Sequence, residues 1–192
     1  MKTFDYCDVI NGIGLQMLLY LFALSLPNTK LLGEMPVPAG VQYFPARAPV
    51  VSVESGTDEA EAIKEREHCW KRSGLLLNDD MVLAAMEPEN MASRMPYKRK
   101  KDGTLTGDLA DNKQFAMLRK FIYGYLKSMV DDIACGNVTA NPYTRDARKN
   151  ACRFCPYGQI CHKKDVANRR VFKAITAERF WNDVAKVVDK HG

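Results

Sequence analysis

Three cysteines within ten residues constrain this chain more than any other feature. Cys152, Cys155 and Cys161 stand at C-x2-C-x5-C spacing, in the run Ala151-Cys152-Arg153-Phe154-Cys155-Pro156-Tyr157-Gly158-Gln159-Ile160-Cys161-His162. Pro156 and Gly158 predict a turn that brings Cys161 back toward the first two thiols. Thiolates at such spacing are typical ligands of zinc and of iron–sulfur clusters. A disulfide framework fits poorly. Nothing upstream reads as a secretory leader, and close-set cysteines with one left over make a weak scaffold. A closed site wants four ligands and this loop supplies three. The fourth is His162, or Cys135 at the end of a predicted helix, or a residue outside the chain, and spacing alone does not choose.

The charge around this loop is uneven. The 192 residues carry a net charge of +5, but the segment from Arg145 to Lys173 is strongly basic. Lys98 to Lys101 form a second basic run, read as an ordinary solvated surface. Residues 57–67 are acid-rich. A basic sector beside a cysteine cluster fits a polyanion, and nucleic acid is the expected partner.

The amino-terminal residues read as neither a signal peptide nor a transit peptide. From Asp8 to Leu26 a loop runs into a helix apolar nearly all round, through Leu15, Leu18, Leu19, Phe22 and Leu26. It is too short, and interrupted by Gln16, to span a membrane. It therefore reads as a central buried helix, in which each buried Leu or Phe contributes about 1.5–3 kcal/mol. Gln16 and Tyr20 are four residues apart and share a face. If buried, an amide and a phenol there need polar partners; they form a satisfied core pair or line a catalytic or phosphate-binding cleft. A domain that opens on its most buried helix looks as if its beginning is missing.

Val41–Phe44 and Val50–Val53 have strand composition. A helix is predicted from Thr57 to Ser73, with Thr57 as cap, Gly74 past its end, and Ala60, Ile63, Glu67 and Trp70 on one stripe. Cys69 reads as an inert packed thiol. A short helix covers Asp80 to Met86, ended by Pro88. A hairpin is predicted around Asp102-Gly103. The longest helix runs from Asp111 to Cys135, with Asp111 and Gln114 as a capping box and Gly136 as its stop. Val138–Tyr143 reads as extended, and a last helix covers about 166–190.

The order of several short motifs is specific where each alone is weak. It runs Gly14-Leu15-Gln16-Met17-Leu18-Leu19-Tyr20, Leu32-Gly33, Pro38-Ala39-Gly40-Val41-Gln42-Tyr43-Phe44, Ser73-Gly74-Leu75-Leu76-Leu77, Asn141-Pro142-Tyr143, then the cysteine run. From about Phe4 to Asp165 the sequence resembles the C-terminal part of the AddB subunits of AddAB helicase–nucleases, which process double-strand breaks for recombination. The resemblance implies an α/β (α+β) fold: the C-terminal part of a PD-(D/E)XK, restriction-endonuclease-like nuclease domain of the RecB type, over 1–165, with an iron–sulfur loop at 151–165 and a C-terminal helix at 166–192.

It also implies roles. Gln16 and Tyr20 match the Q-x-x-x-Y motif that supports the catalytic strand. Cys152, Cys155 and Cys161 match three ligands of a 4Fe-4S cluster whose fourth cysteine lies upstream of the nuclease core. The aspartate and the D/E-x-K that hold Mg2+ also precede the Q-x-x-x-Y helix. No residue here matches them, and Asp5 and Asp8 stand outside the motif. The chain is therefore expected to be a fragment that cuts no DNA alone and leaves the apolar face around Leu15, Leu18 and Phe22 uncovered. Expected DNA contacts are Arg145, Arg148, Lys149, Arg153, Lys163 and Lys164. The expected partners are DNA and an AddA-like subunit in a cytoplasmic heterodimer, away from any membrane. Two other readings stand beside this one: a small CRISPR-associated iron–sulfur exonuclease, and a non-catalytic zinc module that binds nucleic acid or protein.

Overall fold

Two close-set glycines break the amino-terminal apolar run into two helices, where the sequence predicts a loop and one helix. In a computed structural model, which describes residues 3–26, 36–47, 50–86, 94–158, 160–161 and 169–191, helix α1 covers Tyr6–Ile10 and α2 covers Gln16–Leu24. Then come β1 (Gly40–Tyr43), α3 (Glu59–His68), β2 (Ser73–Leu77), α4 (Asp80–Met86), β3 (Tyr97–Arg99), β4 (Leu105–Gly107) and β5 (Leu109–Ala110). The chain continues with α5 (Asn112–Ala134), β6 (Tyr143–Thr144), β7 (Arg170–Val171) and α6 (Ala177–His191). Contacts divide these elements into two units, residues 1–5 with 14–120, and residues 6–13 with 121–192.

The first unit is built on β2. This strand lies between β1, antiparallel to it, and β5, parallel to it. Gly74 through Leu77 are all buried, so the run Leu75-Leu76-Leu77 is apolar on both faces, as expected of a central strand. Gly74, which the sequence places just past a helix, is instead a ladder position. A Cβ there would collide with the carbonyl oxygen of Val41 on the neighbouring strand. Leu76, Leu83, Met95 and Tyr97 form the core beside the strand, with Met86, Leu105 and Leu109 around them.

Helix α2 packs on this sheet by one face only. Leu15, Leu18 and Phe22 are buried, and the Phe22 ring meets Phe115 edge-on at 6.5 Å. The expectation that these three are uncovered is therefore corrected: all three are buried within this chain. The face left open carries Gln16, Tyr20, Leu24 and Leu26. α2 is a half-buried helix rather than a central one.

Other elements differ in the same unit. Asp58, rather than Thr57, stands before α3, because the Thr57 hydroxyl donates to the Glu54 carbonyl at 2.8 Å. α3 buries none of its residues, Ile63 included, and Cys69 after it is an exposed thiol rather than a packed one. Its fixed point is an ion pair from Glu67 to Arg94 at 2.6 Å. The Arg94 hydrogen bond holds the Glu67 carboxyl below its ordinary range. Val50–Val53 form no strand, and Val50 is almost wholly exposed. The hairpin of β3 and β4 forms as predicted. The Asp102 carboxylate accepts the Thr104 N–H at 2.9 Å, and that bond lowers its pKa.

The capping box on α5 is present. The Gln114 N–H donates to Asp111 Oδ1 at 2.7 Å, and the Asp111 N–H donates to Gln114 Oε1 at 2.9 Å. At the other end the Gly136 N–H returns to the Ile133 carbonyl.

In the second unit α1 packs on α6, with the Tyr6 and Phe180 rings 4.9 Å apart. The buried Cys7 thiol donates to the Lys173 carbonyl at 3.1 Å. Gly12 has φ +78°, and a side chain there would strike the Tyr125 ring, whose hydroxyl donates to the Asn11 carbonyl. The strands β6 and β7 pair in parallel. The final helix starts at Ala177, because residues 170–171 pair with β6. Pro88, Leu32-Gly33, His162, Lys163, Lys164 and Asp165 lie outside the described residues.

Candidate functional site

The sequence singles out two constellations, one in each unit. The first is the open face of α2. With one helical turn between them, Gln16 Nε2 donates to the Tyr20 hydroxyl at 2.9 Å. Both residues are exposed, Tyr20 by more than half. Their partner is each other rather than a buried group. Leu15, Leu18 and Phe22 anchor the opposite side of the helix in the core. The pair is thus a polar tip presented to solvent on a rigid support.

The second constellation is the cysteine segment. It begins directly after β6, and the chain returns at β7, so the short parallel ladder ties its two ends together. The Tyr143 and Phe172 rings stack across this base, 5.6 Å apart and 11° from parallel. Arg170 Nε adds a hydrogen bond to the Asn141 carbonyl at 3.1 Å. Sequence reasoning does not single out Phe172 and Arg170, because they lie inside an apolar spacing that resembles a helix. The one signal that marks them is the short β-type pair Val171-Phe172.

Above this base the backbone folds in consecutive turns. Asp146 accepts the N–H groups of Arg148 and Lys149 at 2.7 Å each, and Arg145 N–H reaches the Lys149 carbonyl. The Lys149 bond, then the Arg148 bond, hold the Asp146 carboxyl below its ordinary value. Further turns close from Cys155 N–H to the Cys152 carbonyl, from Gly158 to Cys155, and from Cys161 to Tyr157 at 2.8 Å. The turn expected at Pro156 and Gly158 is therefore present, but it does not bring Cys161 together with the first two thiols.

Cys152, Cys155 and Cys161 are all exposed free thiols, as is Cys135 just past α5. Among the described residues no three His, Cys, Asp or Glu side chains converge to hold a metal ion. The donors fit zinc or an iron–sulfur cluster by chemistry, spacing and access. As they stand they do not converge.

The expected DNA contacts divide in two. Arg148, Lys149 and Arg153 are exposed. Arg145 is only one-fifth exposed and forms an ion pair with Asp8 at 3.5 Å. Its charge steadies the base of the loop.

With this geometry in place, similarity to known proteins adds the rest. A family model described as the PD-(D/E)XK nuclease superfamily matches residues 2–162. The chain is similar to the B subunit of the ATP-dependent helicase/deoxyribonuclease of Oceanobacillus iheyensis, at 32% identity over 100% of this chain and 17% of that protein. The same-named protein of Clostridium kluyveri is 29% identical over 98% of this chain, and that of Moorella thermoacetica 34% over 83%. The chain spans about 17% of the length of the first of these relatives. No helix among the described residues is long and apolar enough to cross a membrane.

Proposed function

The chain belongs to the PD-(D/E)XK nuclease superfamily, and we propose that it is the C-terminal part of an AddB-like helicase–nuclease subunit. The intact protein would hydrolyse DNA at double-strand breaks, together with an AddA-like subunit. The observation that carries this reading is the hydrogen-bonded Gln16–Tyr20 pair on the open face of α2. A polar pair fixed on a rigid helix suits the support of a neighbouring strand or of a DNA phosphate.

The divalent metal of such a nuclease activates water and stabilises developing charge. No residue of this chain matches the family's metal-holding aspartate and D/E-x-K, and on this reading the chain's part is support and positioning. Alone it should cut no DNA in magnesium or manganese, yet bind DNA weakly, with an affinity that falls steeply with salt. Cleavage by the isolated chain that disappears in Asp5→Ala would overturn this.

Cys152, Cys155 and Cys161 would hold a 4Fe-4S cluster in the intact protein, with a fourth ligand from elsewhere. Their role is to tie the loop to a distant segment, a crosslink that restricts the unfolded chain. Iron and sulfide analysis after anaerobic purification tests it. Stoichiometric zinc without sulfide returns the loop to a zinc module.

The decisive experiment uses the intact subunit with its partner. Tyr20→Phe and Gln16→Ala should lower DNA cleavage about 10- to 100-fold by misplacing the supported groups, with ATP hydrolysis unchanged in the same preparation. Both side chains are exposed, so neither change should unfold the domain. Unchanged cleavage by both variants overturns the reading.

A further inference from the structure

Between the first two cysteines lies a side chain that neither thiol chemistry nor packing accounts for. The Phe154 ring is 83% exposed, on a loop already fixed by its own turns. The Arg153 guanidinium lies over it, 4.9 Å from the ring centroid. That guanidinium is itself held, since Arg153 Nη1 donates to the Arg148 carbonyl at 3.2 Å. Arg148 and Lys149 are exposed beside it in sequence. The Asp146 carboxylate accepts from their backbone N–H groups.

Phe154 is the most exposed aromatic among the described residues, and it carries a fixed cation, with Arg148 and Lys149 exposed five and four residues before that arginine. Base stacking on aromatic and guanidinium planes, with cations along the phosphates, is how single strands are bound without sequence preference. Duplex ends offer stacked bases and a regular phosphate backbone, so an isolated ring gains little from them. The cations favour an anionic strand over an apolar protein surface as the occupant.

We propose that Phe154, with Arg153 over its ring, is a stacking platform for an unpaired base, and that Arg148 and Lys149 hold the adjoining phosphates of a single strand. This rests on the nucleic-acid reading above and narrows it to single-stranded DNA. The ring supplies sequence-tolerant stacking, and the cations supply a salt-dependent share of the affinity.

The test is fluorescence anisotropy of the 192-residue chain with an oligothymidylate of about 16 nucleotides, the upper site size of such grooves, and with a duplex of the same length. Phe154→Ala should weaken single-strand binding about 5- to 100-fold and leave duplex binding and the salt slope unchanged. Phe154→Tyr should restore it. Lys149→Ala should instead reduce the salt slope on single strands by about 0.7. A 2-aminopurine in the strand should be quenched on binding to the parent chain and to Phe154→Tyr, and not on binding to Phe154→Ala. If the chain binds DNA and Phe154→Ala binds single strands as tightly, or loses both DNA forms equally, the platform is overturned alone. If the parent chain binds neither DNA, the nucleic-acid reading falls with it.

Discussion

The strand β2 and the cysteine loop are both short, and they are held by opposite means. Around β2 the leucines at 75, 76 and 77 are almost wholly buried, and backbone ladders run to both sides. From 151 to 158 the loop buries no residue at all; it keeps its form through turns and through the β6–β7 base. Burial is non-directional and cumulative, so it makes the sheet robust. Exposed backbone hydrogen bonds compete with water and contribute only about 0.5–1.5 kcal/mol each. The loop therefore keeps its form without a core of its own and leaves its side chains in solvent. Burial and reactive chemistry are segregated: one region is made of what water drives inward, the other of thiols, cations and a ring left outside.

That contrast is broken or sharpened by substitution, beginning with the largest effect. Leu76→Ala removes a wholly buried side chain from the central strand, next to Leu83, Met95 and Tyr97. It should destabilise the chain by about 2–5 kcal/mol, read as a lower midpoint in urea unfolding. A shift below about 1 kcal/mol would mean that the strand is not the organising element. Asp111→Ala removes one arm of the capping box on α5 and should lower stability by about 1 kcal/mol. Asp111→Asn, which keeps an acceptor, should recover most of that loss.

These same elements show what is legible in a sequence. The α5 cap, the Asp102-Gly103 hairpin and α4 depend on contacts a few residues apart, and short sequence signals specify them. β2 escapes such signals because Lys71, Arg72 and Gly74 mimic a helix end. What decides the matter is Gly74 lying under the Val41 carbonyl, thirty-odd residues away. The open face of α2 reads as buried, because composition counts apolar residues without saying which side the sheet takes. At the candidate site, helical spacing alone places Gln16 and Tyr20 together. The joining of 143–144 to 170–171 is not legible, since a two-residue parallel ladder leaves almost no periodicity. The pairing of Arg145 with Asp8 spans 137 positions, and no local pattern announces it.

A smaller effect tests the loop directly. Cys152→Ser, Cys155→Ser and Cys161→Ser, combined in the isolated metal-free chain, should change its stability by less than about 0.5 kcal/mol, as for other exposed positions. The three thiols are exposed and bury no surface. In the intact subunit the same triple change should abolish iron incorporation. A large loss of stability in the isolated chain would show that the loop holds the fold together and would erase the contrast with β2.

The smallest effect is a local one, at Asp146. Hydrogen bonds from the backbone N–H groups of Lys149 and Arg148 lower its pKa from the ordinary aspartate value, which is about 3.9. A carboxyl whose folded pKa is depressed contributes stability that is fully present above the unfolded value. That contribution is lost as pH falls through the folded pKa. The turn at 146–149 should therefore hold its form through neutral and mildly acidic pH and loosen only below about pH 4. Because the carboxylate is exposed, global unfolding should hardly register the change. The probe is local: NMR shifts of the Arg148 and Lys149 amides should titrate together, with a midpoint below the ordinary aspartate value. In Asp146→Asn that titration should vanish, while the urea midpoint of the chain stays put. A midpoint at or above the ordinary value would mean that the carboxylate does not hold the turn, and the cations at 148 and 149 would then lack a fixed base from which to meet a phosphate.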